Sequence, residues 1–286
     1  MSAPPNTIGG FPISTARTLS EENVKILVTG PPKTGKTSSV ARAYATYNEQ
    51  KVITGYRIFF IVIGDRTALD PLLIQPMPDG KVVRLNNPNI NFVLIDPLTL
   101  PHGIKRVSEG FWAVANAMST YFNSTTVKDR AFDAIGIDGL NFLGSALEDE
   151  YEKHGPRGWD KWTKLEDFFC SELIAWASAI GRQQGHGLDI YFIGHSSDPQ
   201  FKEDGKLKVR GGATLPTKKL SEQFPGKCDL VLRADTVAVP GSHAKRTLFS
   251  APDPEWVAGD RFHVCAPQEA MDMPSIVQRV HAVLSR

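Results

Sequence analysis

The segment Gly30-Pro31-Pro32-Lys33-Thr34-Gly35-Lys36-Thr37 constrains this chain more than any other. It follows a short apolar run, VKILVT, and precedes a stretch from Lys36 that reads as a helix. A strand that feeds a helix through a glycine-bearing turn places several backbone N–H groups at the helix N-terminus, where they can surround an anion. The spacing is that of a phosphate loop. Lys36 can reach the β- and γ-phosphates of a nucleotide, and the Thr37 hydroxyl can supply a ligand to Mg²⁺. Gly30, Pro31, Pro32, Lys33, Thr34, Gly35 and Ser38 complete the expected contact set around the phosphates.

A loop of this kind needs a parallel sheet behind it, and the apolar runs supply one. VKILVTG, YRIFFIVIG, INFVLIDP, AFDAIGIDG and LDIYFIGH are near-continuous in apolar residues, as strands covered on both faces are. Helical candidates alternate with them at Lys36–Glu49, Lys105–Tyr121 and Lys164–Gln184. Residues 1–23, rich in Pro, Gly, Ser and Thr, read as an extended arm. Residues 24–286 read as one α/β domain. Within it, 24–195 form the parallel core, 196–219 a basic loop, and 220–286 antiparallel strands closed by a helix over Pro274–Ser285.

A second carboxylate is needed for the Mg²⁺ shell, at the end of a neighbouring strand. Asp138 is favoured because its strand exits into Gly139-Leu140-Asn141; Asp96, before a proline, reads better as a turn former.

Composition limits the remaining possibilities. Of 286 residues, 41% are hydrophobic and 22% charged, which describes a soluble globular chain. No apolar run is long enough to span a bilayer and no secretory signal opens the chain, so no membrane is expected. Cys170, Cys228 and Cys265 are too few and too scattered for a disulfide framework or a zinc site, and a reducing cytoplasm is the expected compartment. The 32 basic and 31 acidic residues nearly cancel, which argues against a protein basic all over. The balance is not local, however. Lys202, Lys206, Lys208, Arg210, Lys218 and Lys219 face only Glu203 and Asp204 within one Gly-bearing stretch. The earlier segment Tyr151–Trp162 interleaves Lys153, Arg157 and Lys161 with Trp159 and Trp162. Cations interleaved with aromatic rings suit single-stranded nucleic acid, whose bases stack while its phosphates are neutralised. The same residues also suit a solvated surface, with the two tryptophans anchoring the next helix.

The order of these parts resembles the RecA-like ATPases, and within them the small phage-type recombination and single-strand annealing ATPases. The phosphate-loop helix is followed by an apolar strand and Ala68-Leu69-Asp70-Pro71, which is similar to the segment after the second strand of RecA. The basic stretch closes in Gly211-Gly212-Ala213-Thr214-Leu215, similar to the end of the family's second DNA-binding loop. The resemblance covers residues 20–265. It implies ATP and Mg²⁺ as ligands, and ATP hydrolysis coupled to single-stranded DNA in recombination (in the host cytoplasm, for a phage-encoded chain). It also implies a homo-oligomeric ring or filament and a cognate single-strand binding protein as partner. His195, at the end of LDIYFIGH, takes the position of the γ-phosphate sensor. The catalytic glutamate position holds Arg66, so Asp65 beside it becomes the candidate base. Lys245, Arg246 and Arg261 are candidates for a cation reaching the phosphates of a neighbouring subunit. A helicase, translocase or loader, a P-loop small-molecule kinase and a non-hydrolysing nucleotide binder remain the alternatives.

Overall fold

A computed structural model describes residues 7–8, 11–12, 23–64, 66–77, 81–155, 158–181, 187–238, 244–251 and 253–284. Thr7–Ile8 and Phe11–Pro12 pair as a small antiparallel ladder. The rest of the expected arm, apart from Asn23, lies outside the described residues.

The domain is a mixed α/β sheet flanked by helices. Its elements are β1 (Val24–Gly30), α1 (Lys36–Arg42), β2 (Ala45–Tyr47), β3 (Ile53–Ile63), β4 (Asn89–Ile95), α2 (Val107–Ser124) and β5 (Ala134–Asp138). After α3 (Leu140–His154), α4 (Trp159–Glu166) continues through a π-helical stretch, Asp167–Leu173, into α5 (Ile174–Ala179). Then come β6 (Asp189–Ser197), the hairpin of β7 (Gln200–Phe201) and β8 (Leu207–Val209), β9 (Gly212–Ala213) and α6 (Lys218–Gln223). The chain ends with β10 (Leu230–Val237), β11 (Lys245–Phe249), β12 (Gly259–Asp260), β13 (Gln268–Ala270) and α7 (Met273–Leu284).

Strands β10, β1, β6, β5, β3 and β4 run parallel in that spatial order. The largely parallel sheet flanked by helices matches the α/β architecture expected from the residue pattern. Successive residues of each strand enter opposite cores, which explains the unbroken apolar runs. Leu27, Ile61, Ile135 and Phe192 pack under α2, α3 and α4, whereas Ile26, Val28, Phe60 and Tyr191 pack under α1 and α7.

Four departures from the sequence reading have physical causes. First, α1 stops at Arg42 instead of reaching Glu49. Tyr44 turns inward, where its hydroxyl donates to Asp189 at 2.5 Å, and the following residues pair antiparallel with the long strand β3. Second, Leu140–His154 is helical, where a polar exit and a loop were expected; Leu140, Leu143 and Leu147 form its buried stripe. Third, β10 runs parallel to β1, so the parallel sheet extends beyond residue 195 and the antiparallel extension begins only with β11. Fourth, Arg261–Ala266 is a turn and not a strand. The Asp260 carboxylate accepts from the backbone N–H groups of Phe262, Val264 and Cys265 and curls the chain around itself.

Gly139 decides how β5 hands over to α3. It has φ 93°, and a Cβ there would collide with the Ile63 carbonyl oxygen of β3. Gly139→Ala is therefore expected to destabilise the fold by at least ~1–3 kcal/mol, through backbone strain and that collision. Urea unfolding of the two proteins, compared at equal m-value, measures the difference.

Candidate nucleotide site

The phosphate loop lies where β1 ends, and the sheet order determines what surrounds it. Strand β6 inserts between β1 and β5, with His195 beside Gly30 and Ile193 beside Asp138. Crevices at the carboxyl ends of parallel strands are the usual ligand sites of such sheets. Here a cleft of about 470 Å³ opens there, lined by Lys36, Thr37, Asp138, Asn141, Phe142 and His195 among others. Residues 101 and 159 positions apart from Thr37 and Lys36 are thus brought to one wall.

Lys36 is buried, and its Nζ donates to the carbonyls of Gly30 at 2.9 Å and Pro31 at 2.8 Å. These bonds fold the lysine back over the loop and fix its ammonium in the cradle. Desolvation lowers its pKa to about 8, only partly opposed by the Asp138 charge. Thr34 closes the turn by donating to the Pro31 carbonyl at 2.9 Å. Gly30, Pro31, Pro32, Lys33, Thr34, Gly35 and Ser38 surround this lysine as the loop and the first turn of α1, and Pro32, Lys33, Gly35 and Ser38 line the cleft itself.

The Thr37 hydroxyl donates to Asp138 Oδ2 at 2.6 Å. Asp138 is almost wholly buried, and burial raises its pKa above the usual carboxylate value, against the Thr37 bond and the Lys36 charge. A buried carboxylate held against a hydroxyl, with its charge under-compensated, is a donor set that fits Mg²⁺. No cluster of three or more His, Cys, Asp or Glu suited to a metal exists among the described residues. Mg²⁺ held here would take its remaining ligands from phosphate and water, as it usually does. Asp96, the competing carboxylate, instead accepts from Leu98 N and the Thr99 hydroxyl, closing a turn away from the cleft.

His195 and Asn141 interlock. The His195 backbone N–H donates to Asn141 Oδ1 at 3.2 Å, and Nδ1 lies 3.4 Å from Asn141 Nδ2. With Nδ1 accepting, the imidazole proton sits on Nε2. Burial, and then the Lys36 charge, lower the His195 pKa, so the ring is neutral at pH 7 and acts as a donor without adding charge. The Phe142 ring meets it edge-on at 5.8 Å. Asn141 and Phe142 have no motif to betray them, although both follow Asp138 on the first turn of α3. Asp70 also lines the cleft, from the 3₁₀ turn Arg66–Leu73. Asp65 lies outside the described residues.

The other expected site residues are dispersed. Arg261 pairs with the buried Asp229, which also holds Lys25 at 3.1 Å. Lys245 is exposed at the start of β11, and Arg246 beside it lies over the phosphate loop of its own chain. Trp159, Lys161 and Trp162 are helical residues of α4; Lys161 lies 3.5 Å from Glu148 and 4.2 Å above the Trp162 ring, while Trp159 is 87% exposed. Lys153 is exposed in the last turn of α3, and Arg157 lies outside the described residues. The basic stretch is a structured hairpin followed by a helix. Lys206 pairs with Asp204 at 3.0 Å, Lys219 with Glu166 at 2.6 Å, and Lys218 donates to the Lys208 carbonyl at 3.1 Å. Lys202, Lys208 and Arg210 are exposed, with no ion-pair partner among the described residues. Phe201, which no motif singled out, stands exposed beside them.

No protein-family model matches the chain, and no curated protein matches it. Among solved structures it is similar to a KaiC-like protein from the hyperthermophilic archaeon Pyrococcus horikoshii OT3. The two are 15% identical with a TM-score of 0.34, over 84% of this chain and 80% of that one. Among the described residues, no helix is long and apolar enough to cross a membrane.

The raised pKa of Asp138 has a sign that can be measured. Its native state holds the proton more tightly than the unfolded chain does, so the ionised carboxylate costs stability at neutral pH and stops doing so on acidification. Asp138→Asn is expected to raise the metal-free unfolding midpoint at pH 7, with the gap to wild type narrowing toward pH 5. Thermal unfolding at the two pH values tests this; a gap that widens toward pH 5 contradicts the assignment.

Proposed function

We propose that this chain is a RecA-like, Mg²⁺-dependent ATPase. The observation that carries this reading is the convergence of Lys36, the Thr37–Asp138 pair and His195 on one cleft at the carboxyl edge of the sheet. Backbone amides at the start of α1 bind the phosphates, and Lys36 adds the positive charge that the transition state requires. Thr37 and Asp138 would hold Mg²⁺, which when bound neutralises phosphate charge. The neutral imidazole of His195 donates a hydrogen bond toward the terminal phosphate and so registers its presence. Asp138 is engaged by Thr37, which leaves Asp70 as the other carboxylate on the described cleft wall.

A finer reading follows from one connection. The Thr214 backbone N–H donates to the His195 carbonyl at 2.9 Å, and β9 pairs with Ser196 and Ser197 directly beyond it. The basic hairpin therefore hangs from the strand end that carries the phosphate-sensing histidine. Lys202, Lys208 and Arg210, with Phe201 among them, offer cations and a ring to single-stranded DNA; Trp159 offers a second ring. We read the protein as a homo-oligomer in which ATP occupancy repositions this hairpin for annealing or strand exchange.

Lys36→Ala is expected to lower ATP turnover by ~100-fold or more, and unaltered turnover would refute the phosphate-loop assignment. Phosphates restore the Lys36 proton that burial weakens, so ATP binding near pH 8 should take up protons, and affinity should fall as pH rises from 7 to 9. Calorimetric titrations in buffers of differing ionisation enthalpy read that uptake. For the DNA reading, Lys202→Ala with Lys208→Ala should flatten the salt dependence of single-strand binding by about 0.7 per lost phosphate contact. Binding with an unchanged salt slope removes the hairpin from the interface.

A further inference from the structure

The late strands bring a second cation to the phosphate loop, from within the same chain. Strand β10 runs on past the end of β1: its Arg233 is level with Thr29, and it continues to Val237. Strand β11 returns antiparallel, so its first residues, Lys245 beside Val237 and Arg246 beside Thr236, overhang the carboxyl edge of the sheet. From there the Arg246 side chain reaches back across the loop. A Cβ built on Gly35 would lie 2.9 Å from Arg246 Nη1 and 3.6 Å from its Cδ. Gly35 is the residue that opens α1, at φ 87°, and the absence of a side chain is what lets the guanidinium lie against the loop backbone.

The neighbouring arginines, Arg233 on β10 and Arg261 in the turn after β12, are already engaged. Arg261 is neutralised by Asp229, and Arg233 is stacked 4.5 Å from the Phe249 ring and 4.2 Å from the Trp256 ring. Arg246 has neither a hydrogen-bond nor an ion-pair partner among the described residues. It joins Lys33 and Lys36 around one turn of chain, an accumulation of like charge that an anion would relieve.

We propose that Arg246 is a phosphate ligand of its own subunit, supplying in cis a cation of the kind for which the resemblance made it a candidate in a neighbouring subunit. This rests on the reading of the cleft as a nucleotide site and adds a specific residue to it. Because Arg246 lies against the residue that begins the helix, it binds the part of the phosphate chain common to ATP and ADP. A planar guanidinium can engage two phosphate oxygens through parallel N–H donors held in a fixed fork, a geometry that an ammonium does not offer.

Calorimetric titration of the full chain with ATP and with ADP, in the presence of Mg²⁺, tests the assignment. Arg246→Ala, and Arg246→Gln as a second variant that keeps more of the side chain, should weaken both nucleotides by ~10–100-fold. Arg246→Lys should recover part of that loss. At ATP well below the Kd of the Arg246→Ala variant, mixed Arg246→Ala and Lys36→Ala protomers should turn over no faster than the sum of the two alone, since each site needs both residues from one chain. Equal nucleotide affinity in the wild type and in both charge-removing variants overturns the proposal, as does turnover regained on mixing. A wild-type protein that binds neither nucleotide overturns the functional reading, and this assignment with it.

Discussion

The hydrogen bond from Thr37 to the buried Asp138 joins the two halves of the site. Thr37 belongs to the helix that follows β1, and Asp138 ends β5, yet the two strands are not neighbours. Strand β6 lies between them, and only the parallel order of the sheet brings their carboxyl ends to one edge. A carboxylate in that position is costly to ionise, which is why burial raises its pKa. The cost is informative. A buried acid whose charge is only partly offset by a hydroxyl and a lysine is stable enough to persist and open to a cation.

The rest of the molecule supports that edge from behind. Tyr44, just beyond α1, and Tyr191 on β6 share a buried cluster with Asp189, whose carboxylate also meets His281 of α7 at 2.7 Å. The helix that carries the phosphate loop is thereby tied to the start of β6 and to the last helix. At the other end of β6, the Gly211 N–H donates to the Glu255 carbonyl at 2.7 Å, and Val257 N–H donates back to Gly211 at 2.9 Å. Trp256, between those two, stacks on Arg233 of β10. The base of the basic hairpin is therefore held on one side by β6, the strand that carries His195, and on the other by β10, the strand beside β1.

These ties also explain which parts of the fold were readable from residue order. The parallel strands were, because each is buried on both faces and has to be apolar throughout. Helix α3 is masked in residue order even though Leu140, Leu143 and Leu147 mark its stripe, because Gly139 and Asn141 beside them signal a turn. The end of α1 was misplaced because nothing in Tyr44-Ala45-Thr46-Tyr47 records that a long neighbouring strand offers it hydrogen-bond partners. The direction of β10 is not encoded locally for a related reason: an apolar run looks the same whichever way its neighbour points.

For the site, residue order alone dictated Lys36 and Thr37, because a phosphate cradle is local: its glycines, its lysine and its helix start are contiguous, and their spacing is the chemistry. Asp138 and His195 were readable at one remove, as polar residues ending apolar strands. Asn141, Phe142, Asp70 and Arg246 could be placed only once the chain was packed. Asn141 and Phe142 come from α3, Asp70 from the 3₁₀ turn and Arg246 from β11, and the role of each depends on distances across the sheet edge that no spacing along the chain encodes.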